Sequence, residues 1–267
     1  MIRKLDRSDI DGLNKFPPKS WKFDYEAFLD EFIDKEFFYA FVKIQDSKIV
    51  GTGNVFVKGH IAWLANILVD ENYRGQGFGR EITKFLSDFS DAQKCETQLL
   101  IATELGEPVY KKIGFKNRSE YVSFDSTQDV DFKPSTSIKK LDKSDLNRVC
   151  KLDEIANAEN RTHLIEMHFE NAFGYLDENE QLIGFYLPHF GRGLVIALEE
   201  QAGIELLKLK HSKKGTRTLL PIENKIALAF FEKNGFPKGD SCTRMILGKE
   251  NPWAPKYIYS YGGGYCG

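Results

Sequence analysis

An α/β (α+β) fold of two tandem domains, each a mixed, mainly antiparallel sheet flanked by helices, follows from three observations. The chain repeats its own beginning: residues 2–10 read IRKLDRSDI and residues 138–146 read IKKLDKSDL, six identities in nine positions. Two later segments recur in the same order. Phe41 to Gly51 matches Tyr175 to Gly184 as strand, polar turn, strand, and Tyr110-Lys111-Lys112-Ile113-Gly114-Phe115 matches Phe231-Glu232-Lys233-Asn234-Gly235-Phe236. Matches that keep their order argue for duplication of a whole domain. The third observation is that extended apolar runs joined by short turns dominate the first copy, with helical stripes set between them.

Taken in order, Tyr25, Phe28, Leu29, Phe32 and Ile33 follow the i, i+3, i+4, i+7, i+8 spacing of a helix. Phe37 to Ile44, Ile49 to Val57 and Ile61 to Val69 read as strands, the last two joined by the turn Lys58-Gly59-His60. A helical stripe follows at Ile82, Phe85, Leu86 and Phe89, then a strand at Gln98 to Ala102, a helix near Pro108 to Ile113 and a strand about Tyr121 to Phe124. Residues 125–137 are polar, carry Pro134 and lack apolar periodicity, which marks a linker between domains at 1–130 and 138–267.

Composition narrows the function classes. The chain has 267 residues, 42% of them hydrophobic and 28% charged, as expected of globular domains. A net charge of −2 gives no broad basic surface for a phosphate backbone, so nucleic acid is not an expected partner. No apolar run approaches the roughly 20 residues of a membrane helix, and the first residues lack a signal peptide's apolar core. The expected location is the cytoplasm, with no membrane partner. Cys95, Cys150, Cys242 and Cys266 are scattered, and His163 and His168 are five apart, off any one helical face, so no metal site is expected.

Arg74-Gly75-Gln76-Gly77-Phe78-Gly79-Arg80 stands between the strand ending at Val69 and the stripe opening at Ile82. Glycines let backbone N–H groups close on an anion, the helix start adds partial positive charge, and the two arginines add full charges. This pattern fits a pyrophosphate. A dinucleotide-binding fingerprint has two residues between its second and third glycines, whereas only Phe78 separates Gly77 from Gly79.

The run Val69-Asp70-Glu71-Asn72-Tyr73-Arg74-Gly75-Gln76-Gly77-Phe78-Gly79 closely resembles the acyl-CoA pyrophosphate loop of the GNAT superfamily of N-acyltransferases, and Pro108 to Phe115 resembles that family's tyrosine-bearing helix. The resemblance is strong over most of the first half and weak over the second. It implies two tandem GNAT-like domains and an N-acetyltransferase that moves the acetyl group of acetyl-CoA, its donor substrate, to a primary amine by direct attack, a small molecule in preference to a protein. It implies backbone contacts to the cofactor from Ile67, Leu68 and Val69, and pyrophosphate binding by Arg74, Gly75, Gln76, Gly77, Phe78, Gly79 and Arg80. It makes Tyr110 the general acid for the leaving thiolate; a phenol with an ordinary pKa of about 10 is protonated at neutral pH, although an amphipathic tyrosine packed in the core reads the same way in isolation.

No carboxylate stands on Trp63-Leu64-Ala65-Asn66-Ile67, where the family often carries its base. A water held by Asn66 and the side chain of Glu104 are the alternatives, and no base is assigned. Trp21, Phe23 and Tyr25 lie where the first helices border the acceptor pocket, and core packing accounts for them equally well. In the second copy, His189 to Glu200 is short of a glycine where a second loop is expected, and Phe231 replaces the tyrosine. Residues 138–267 therefore read as non-catalytic, and an acyl-CoA-binding sensor is the alternative for the whole chain.

Overall fold

The computed structural model describes residues 1–133 and 135–266. The chain divides into two compact units. The first comprises Met1–Arg118, Arg244–Glu250 and Gly264–Cys266; the second comprises Ser119–Thr243 and Asn251–Gly263.

The first unit is built on β1 (Ile2–Lys4), β2 (Phe38–Gln45), β3 (Lys48–Lys58), β4 (Ile61–Val69) and β5 (Thr97–Ala102), hydrogen-bonded in that order. Pairings are antiparallel from β1 to β4, and β4 lies parallel to β5. Helix α1 (Tyr25–Phe32) starts at Asp24, whose side chain accepts from the Ala27 N–H and satisfies a donor of the first turn. The face of the sheet toward α1 is aromatic. Phe28, Phe32, Phe38, Phe56 and Tyr265 form one ring cluster with centroids 4.8–6.1 Å apart. Nearby, the Arg244 guanidinium lies 4.7 Å over the Trp63 ring.

Helix α2 (Phe78–Ala92) covers the opposite face, burying Ile82 and Leu86 against Val55, Ala62, Leu64 and Leu100. The helix lies unusually close to β3 because that strand offers glycine. A Cβ at Gly51 would stand 2.7 Å from Ile82 Cδ1 and 2.9 Å from the Leu68 carbonyl; one at Gly53 would stand 2.8 Å from both Ile82 Cγ2 and Leu86 Cδ1. After β5 the chain forms α3 (Glu107–Lys111) and enters β6 (Lys116–Asp125). Met245 joins the first unit's core, and the Lys249 N–H donates to the Glu96 carbonyl at 2.8 Å.

The second unit repeats this order. β7 (Ile138–Lys140), α4 (Leu146–Asn157), α5 (Thr162–Met167), β8 (Phe173–Leu176), β9 (Leu182–Leu187), β10 (Leu194–Ala197), α6 (Glu200–Lys210), β11 (Arg217–Pro221), α7 (Lys225–Lys233) and β12 (Lys238–Gly248) follow one another, with β13 (Ile258–Ser260) at the end. One sheet runs β13-β10-β9-β8-β7, and β11 pairs antiparallel with β6 from Tyr121 to Asp125. The repeated opening is reproduced in detail. Asp6 and Asp9 form a capping box around a 3-10 turn, as do Asp142 and Asp145. Two sheets of this kind fit a tandem arrangement.

Residues 119–130 group with the second unit and 244–250 with the first. Two sequence expectations change. The presumed linker is packed rather than free, since the Val130 N–H donates to the Ser212 carbonyl, Asp129 accepts from the Lys214 N–H, and Val130 and Phe132 lie against the second core. Two apolar side chains in a polar stretch were enough to dock it. Finally, Gly191 and Gly193, with φ of 58° and 92°, form the turn between β9 and β10. The place of a second loop, between β10 and α6, is taken by Leu198 and Glu199 alone.

A buried polar chain runs through the second unit. The Ser126 hydroxyl and His211 Nδ1 are 2.7 Å apart, His211 Nε2 and Thr218 Oγ1 2.7 Å, and Thr218 Oγ1 and Ser260 Oγ 3.3 Å. Lys210 Nζ donates to Ser260 Oγ and to the carbonyls of Arg192 and Gly193. Burial pushes the His211 imidazole down to about 3 and that of His168 to about 4.

Two predictions follow from this packing. Gly53→Val is expected to destabilise the chain by about 2 kcal/mol in denaturant unfolding, because the added methyls overlap Ile82 and Leu86; an unchanged midpoint would show that α2 can move outward at little cost. Unfolded imidazoles titrate near 6.5, so stability carried by neutral His211 is complete above that pH and is lost as pH falls toward about 3. Unfolding at pH 5 is expected about 1–2 kcal/mol easier than at pH 7, and His211→Gln should shrink that difference.

Candidate functional site

The site begins with the parting of two strands. β4 and β5 pair only through Ile61–Thr97, Ala62–Gln98 and Trp63–Leu99, after which β4 continues to Val69 alone along that edge. A β-bulge turns β4 at this point. Thr52 pairs with Leu68 and Asn54 with Ala65, so Gly53 stands opposite both Asn66 and Ile67. Asn66 adopts φ 49°, a left-handed conformation that asparagine tolerates better than most residues.

The bulge is supported from the α1 face. The Tyr25 hydroxyl, fully buried, lies 2.9 Å from both Thr52 Oγ1 and Asn54 Oδ1, and Thr52 Oγ1 donates to the Asn66 carbonyl at 3.3 Å. Burial raises the Tyr25 phenol well above its ordinary range, which keeps it protonated. Tyr25 is thus a core residue, Phe23 packs beside it at 5.8 Å between centroids, and Trp21 is exposed.

Beyond the bulge, Leu68 and Val69 are held against Thr52 and Gly51, and only Ile67 of the three strand residues lies in the bulge itself. A short turn, Glu71–Tyr73, then leads into the glycine loop. Gly75 and Gly77 have φ of 78° and 86°, values that a side chain disfavours, and a Cβ at either would meet nothing within 4 Å. Gly77 caps α2 without a side chain, so the N–H groups of Phe78, Gly79 and Arg80 open the helix. Left-handed glycines beside open space at the start of a fifteen-residue helix form a geometry that can take an anion.

The two loop arginines differ. Arg74 turns back, its Nε donating to the Val69 carbonyl at 3.2 Å and its guanidinium 3.6 Å from Glu71, while Arg80 is exposed. Gln76 is exposed and Phe78 half-buried, 6.4 Å from the Tyr73 ring.

Tyr110 sits on α3, partly buried beside Phe115 at 6.3 Å between centroids. Burial pushes its hydroxyl up to about 12. Its ring lies over Gly106: a Cβ there would stand 2.8 Å from Cε2 and 3.2 Å from the hydroxyl oxygen. Gly106 therefore makes room for the tyrosine, a role hidden in the sequence because its backbone is ordinarily helical. Glu104 is exposed in the preceding turn. Phe231, at the tyrosine position of the second unit, is fully buried and stacks on Phe124 at 4.6 Å.

Among the described residues, no group of three or more His, Cys, Asp or Glu side chains is placed to hold a metal, and no helix is long and apolar enough to cross a membrane.

Residues 35–117 match the family described as "Acetyltransferase (GNAT) domain". Glucosamine 6-phosphate N-acetyltransferase from Trypanosoma brucei brucei is 27% identical over 88 residues, covering 29% of this chain and 58% of that protein. The corresponding enzyme of Arabidopsis thaliana is 26% identical over 83 residues, 28% of this chain and 56% of that protein. The chain thus spans little more than half the length of the curated relatives it matches. At the level of fold, a crystal structure of a Pyrococcus horikoshii protein superposes with TM-score 0.83 at 23% identity, over 100% of this chain and 95% of that one. The GCN5-related N-acetyltransferase of Sphaerobacter thermophilus gives TM-score 0.64 at 10% identity over 100% and 98%. The fold is therefore shared across the full length, second unit included.

Gly77→Val forces a β-branched residue into the left-handed region and fills the space beside the loop. Its CoA affinity in calorimetry is expected to fall at least about tenfold, with cooperative unfolding retained. Unchanged affinity would remove the loop from the site.

Proposed function

We propose that this chain, which carries a GNAT acetyltransferase domain at residues 35–117, transfers the acetyl group of acetyl-CoA to the primary amine of a small molecule. The observation that carries the reading is the open, left-handed Gly75 and Gly77 at the start of α2, set directly after the bulged end of β4. The diphosphate lies on the loop, and the thioester reaches back toward Ile67 where β4 has parted from β5. The match to two glucosamine 6-phosphate N-acetyltransferases favours a small amine over a protein and makes amino sugars the first acceptors to try.

The chemistry is a direct displacement. The neutral amine attacks the carbonyl, the C–N bond forms, the C–S bond breaks, and a proton must travel from nitrogen to sulfur. Tyr110 is the general acid. A phenol at about 12 stays protonated across the working range, yet it is a weaker acid than a thiol near 8.5. Donation to sulfur is therefore balanced only if the phenol regains the proton shed by the attacking nitrogen, so Tyr110 completes the transfer as a relay. The second unit, with Leu198-Glu199 in place of a loop and Phe231 in place of the tyrosine, is non-catalytic.

One observation favours a second reading. The strand Trp63 to Ile67 has no carboxylate, which suits a protein that binds acyl-CoA without turning it over. A thermal shift with CoA against ATP and NAD, followed by thiol release with a panel of amines, separates the two: CoA protection with turnover supports the transferase, CoA protection without turnover the sensor. Stronger protection by a nucleotide overturns both.

For the acid, Tyr110→Phe is expected to lower kcat by about 10²-fold at neutral pH with little change in acetyl-CoA affinity, since packing is kept and only the proton is lost. Parental turnover across the pH range would reduce Tyr110 to a packing residue.

A further inference from the structure

Strand β2 presents alternate side chains to α2, and the ladder they make ends in a charge. Tyr39 meets Phe89 at 4.8 Å and Phe41 meets Phe85 and Phe89 at 5.0 and 5.1 Å between centroids. The next residue on that face, where a third aromatic or aliphatic side chain would continue the ladder, is Lys43. It is 5% exposed, its Nζ lies 2.6 Å from Glu81 Oε1, and it sits 5.0 Å over the ring of Phe78, a residue of the glycine loop. Gly51, opposite Lys43 on β3, leaves the room that brings α2 down onto the pair.

Burying an ammonium forfeits its hydration, so a lysine in this place needs a reason beyond packing. Glu81 supplies one. It lies in the first turn of α2, beside the N–H groups that open the helix, where a carboxylate stabilises the helix but competes with a bound anion for the same field. Left uncompensated, it would oppose a diphosphate on the loop.

We infer that Lys43 is a positioning residue for the acyl donor: it pairs with and neutralises Glu81, so that the start of α2 presents net positive charge to the diphosphate of acetyl-CoA. The inference rests on the proposed function in taking the loop as the diphosphate site. It adds a buried residue on a different strand, far from the loop in sequence, to the determinants of donor affinity.

The test uses the full chain and two ligands, CoA and pantetheine, which lacks the diphosphate. In Lys43→Met, a change that keeps the volume and removes the charge, CoA affinity by calorimetry is expected to fall about tenfold or more, because Glu81 is left uncompensated in the first turn of α2. Pantetheine affinity should stay within about twofold. Adding Glu81→Gln to Lys43→Met is expected to restore CoA binding to within about twofold of the parent, and Lys43→Arg should retain most of it. Equal CoA affinity in parent and Lys43→Met overturns the inference. So does a double variant as weak as Lys43→Met, or an equal loss of pantetheine binding, either of which makes Lys43 a packing residue. Failure of the parent itself to bind CoA overturns the proposed function instead.

Discussion

The contact on which the first unit's geometry depends is the close approach of α2 to β3. Gly51 and Gly53 remove two side chains from the strand, and Ile82 and Leu86 descend into the space. The hydrophobic gain of burying those residues fixes the helix along its length, and with it the position of its first turn. The loop before that turn has left-handed glycines and few packing partners of its own, so its place is set by the helix it opens. Backbone N–H groups at a helix start are only as rigid as the helix that carries them, and here the rigidity is borrowed from packing one to two turns away.

Much of this was legible in the sequence. The strands Ile49 to Val57 and Ile61 to Val69, the helix from Phe78 and the glycine loop carry strong local signals, because apolar periodicity and glycine spacing act within one element. What stayed hidden depends on contacts between residues distant in sequence. The bulge at Asn66 is set by the pairing of β3 with β4 and by the Tyr25–Thr52 hydrogen bond, and no local pattern announces it. Gly106 looks like a turn residue until Tyr110 is seen lying over it. In the second copy, the pair Gly191 and Gly193 invited comparison with the loop of the first, yet it serves a hairpin; glycine marks backbone conformation, and both uses need a positive φ.

The two units share local features that depend on the backbone and on packing alone. The capping boxes at Asp6–Asp9 and Asp142–Asp145 persist because they satisfy helix-start donors wherever the fold is kept. The tyrosine position survives as Phe231, which stacks on Phe124 and is held by packing alone. In the interior of the second unit, a chain of hydrogen bonds from Ser126 through His211 and Thr218 to Ser260 and Lys210 replaces part of an apolar core. Such networks specify one arrangement because each member left alone would be costly to bury.

The assignment of Arg244–Glu250 and Tyr265 to the first unit has a bearing on how the chain is made. During synthesis, at about 5–20 residues per second, the edge of β5 and the aromatic cluster under α1 wait until all of Ser119–Thr243 has been made. The first unit's residues are made before and after most of the second's. For those seconds its sheet has an unpaired edge and its aromatic face is missing a ring, the condition in which nascent chains depend most on chaperones. A fragment ending at Arg118 would stay in that condition permanently, so the first unit is not a self-sufficient module of contiguous chain.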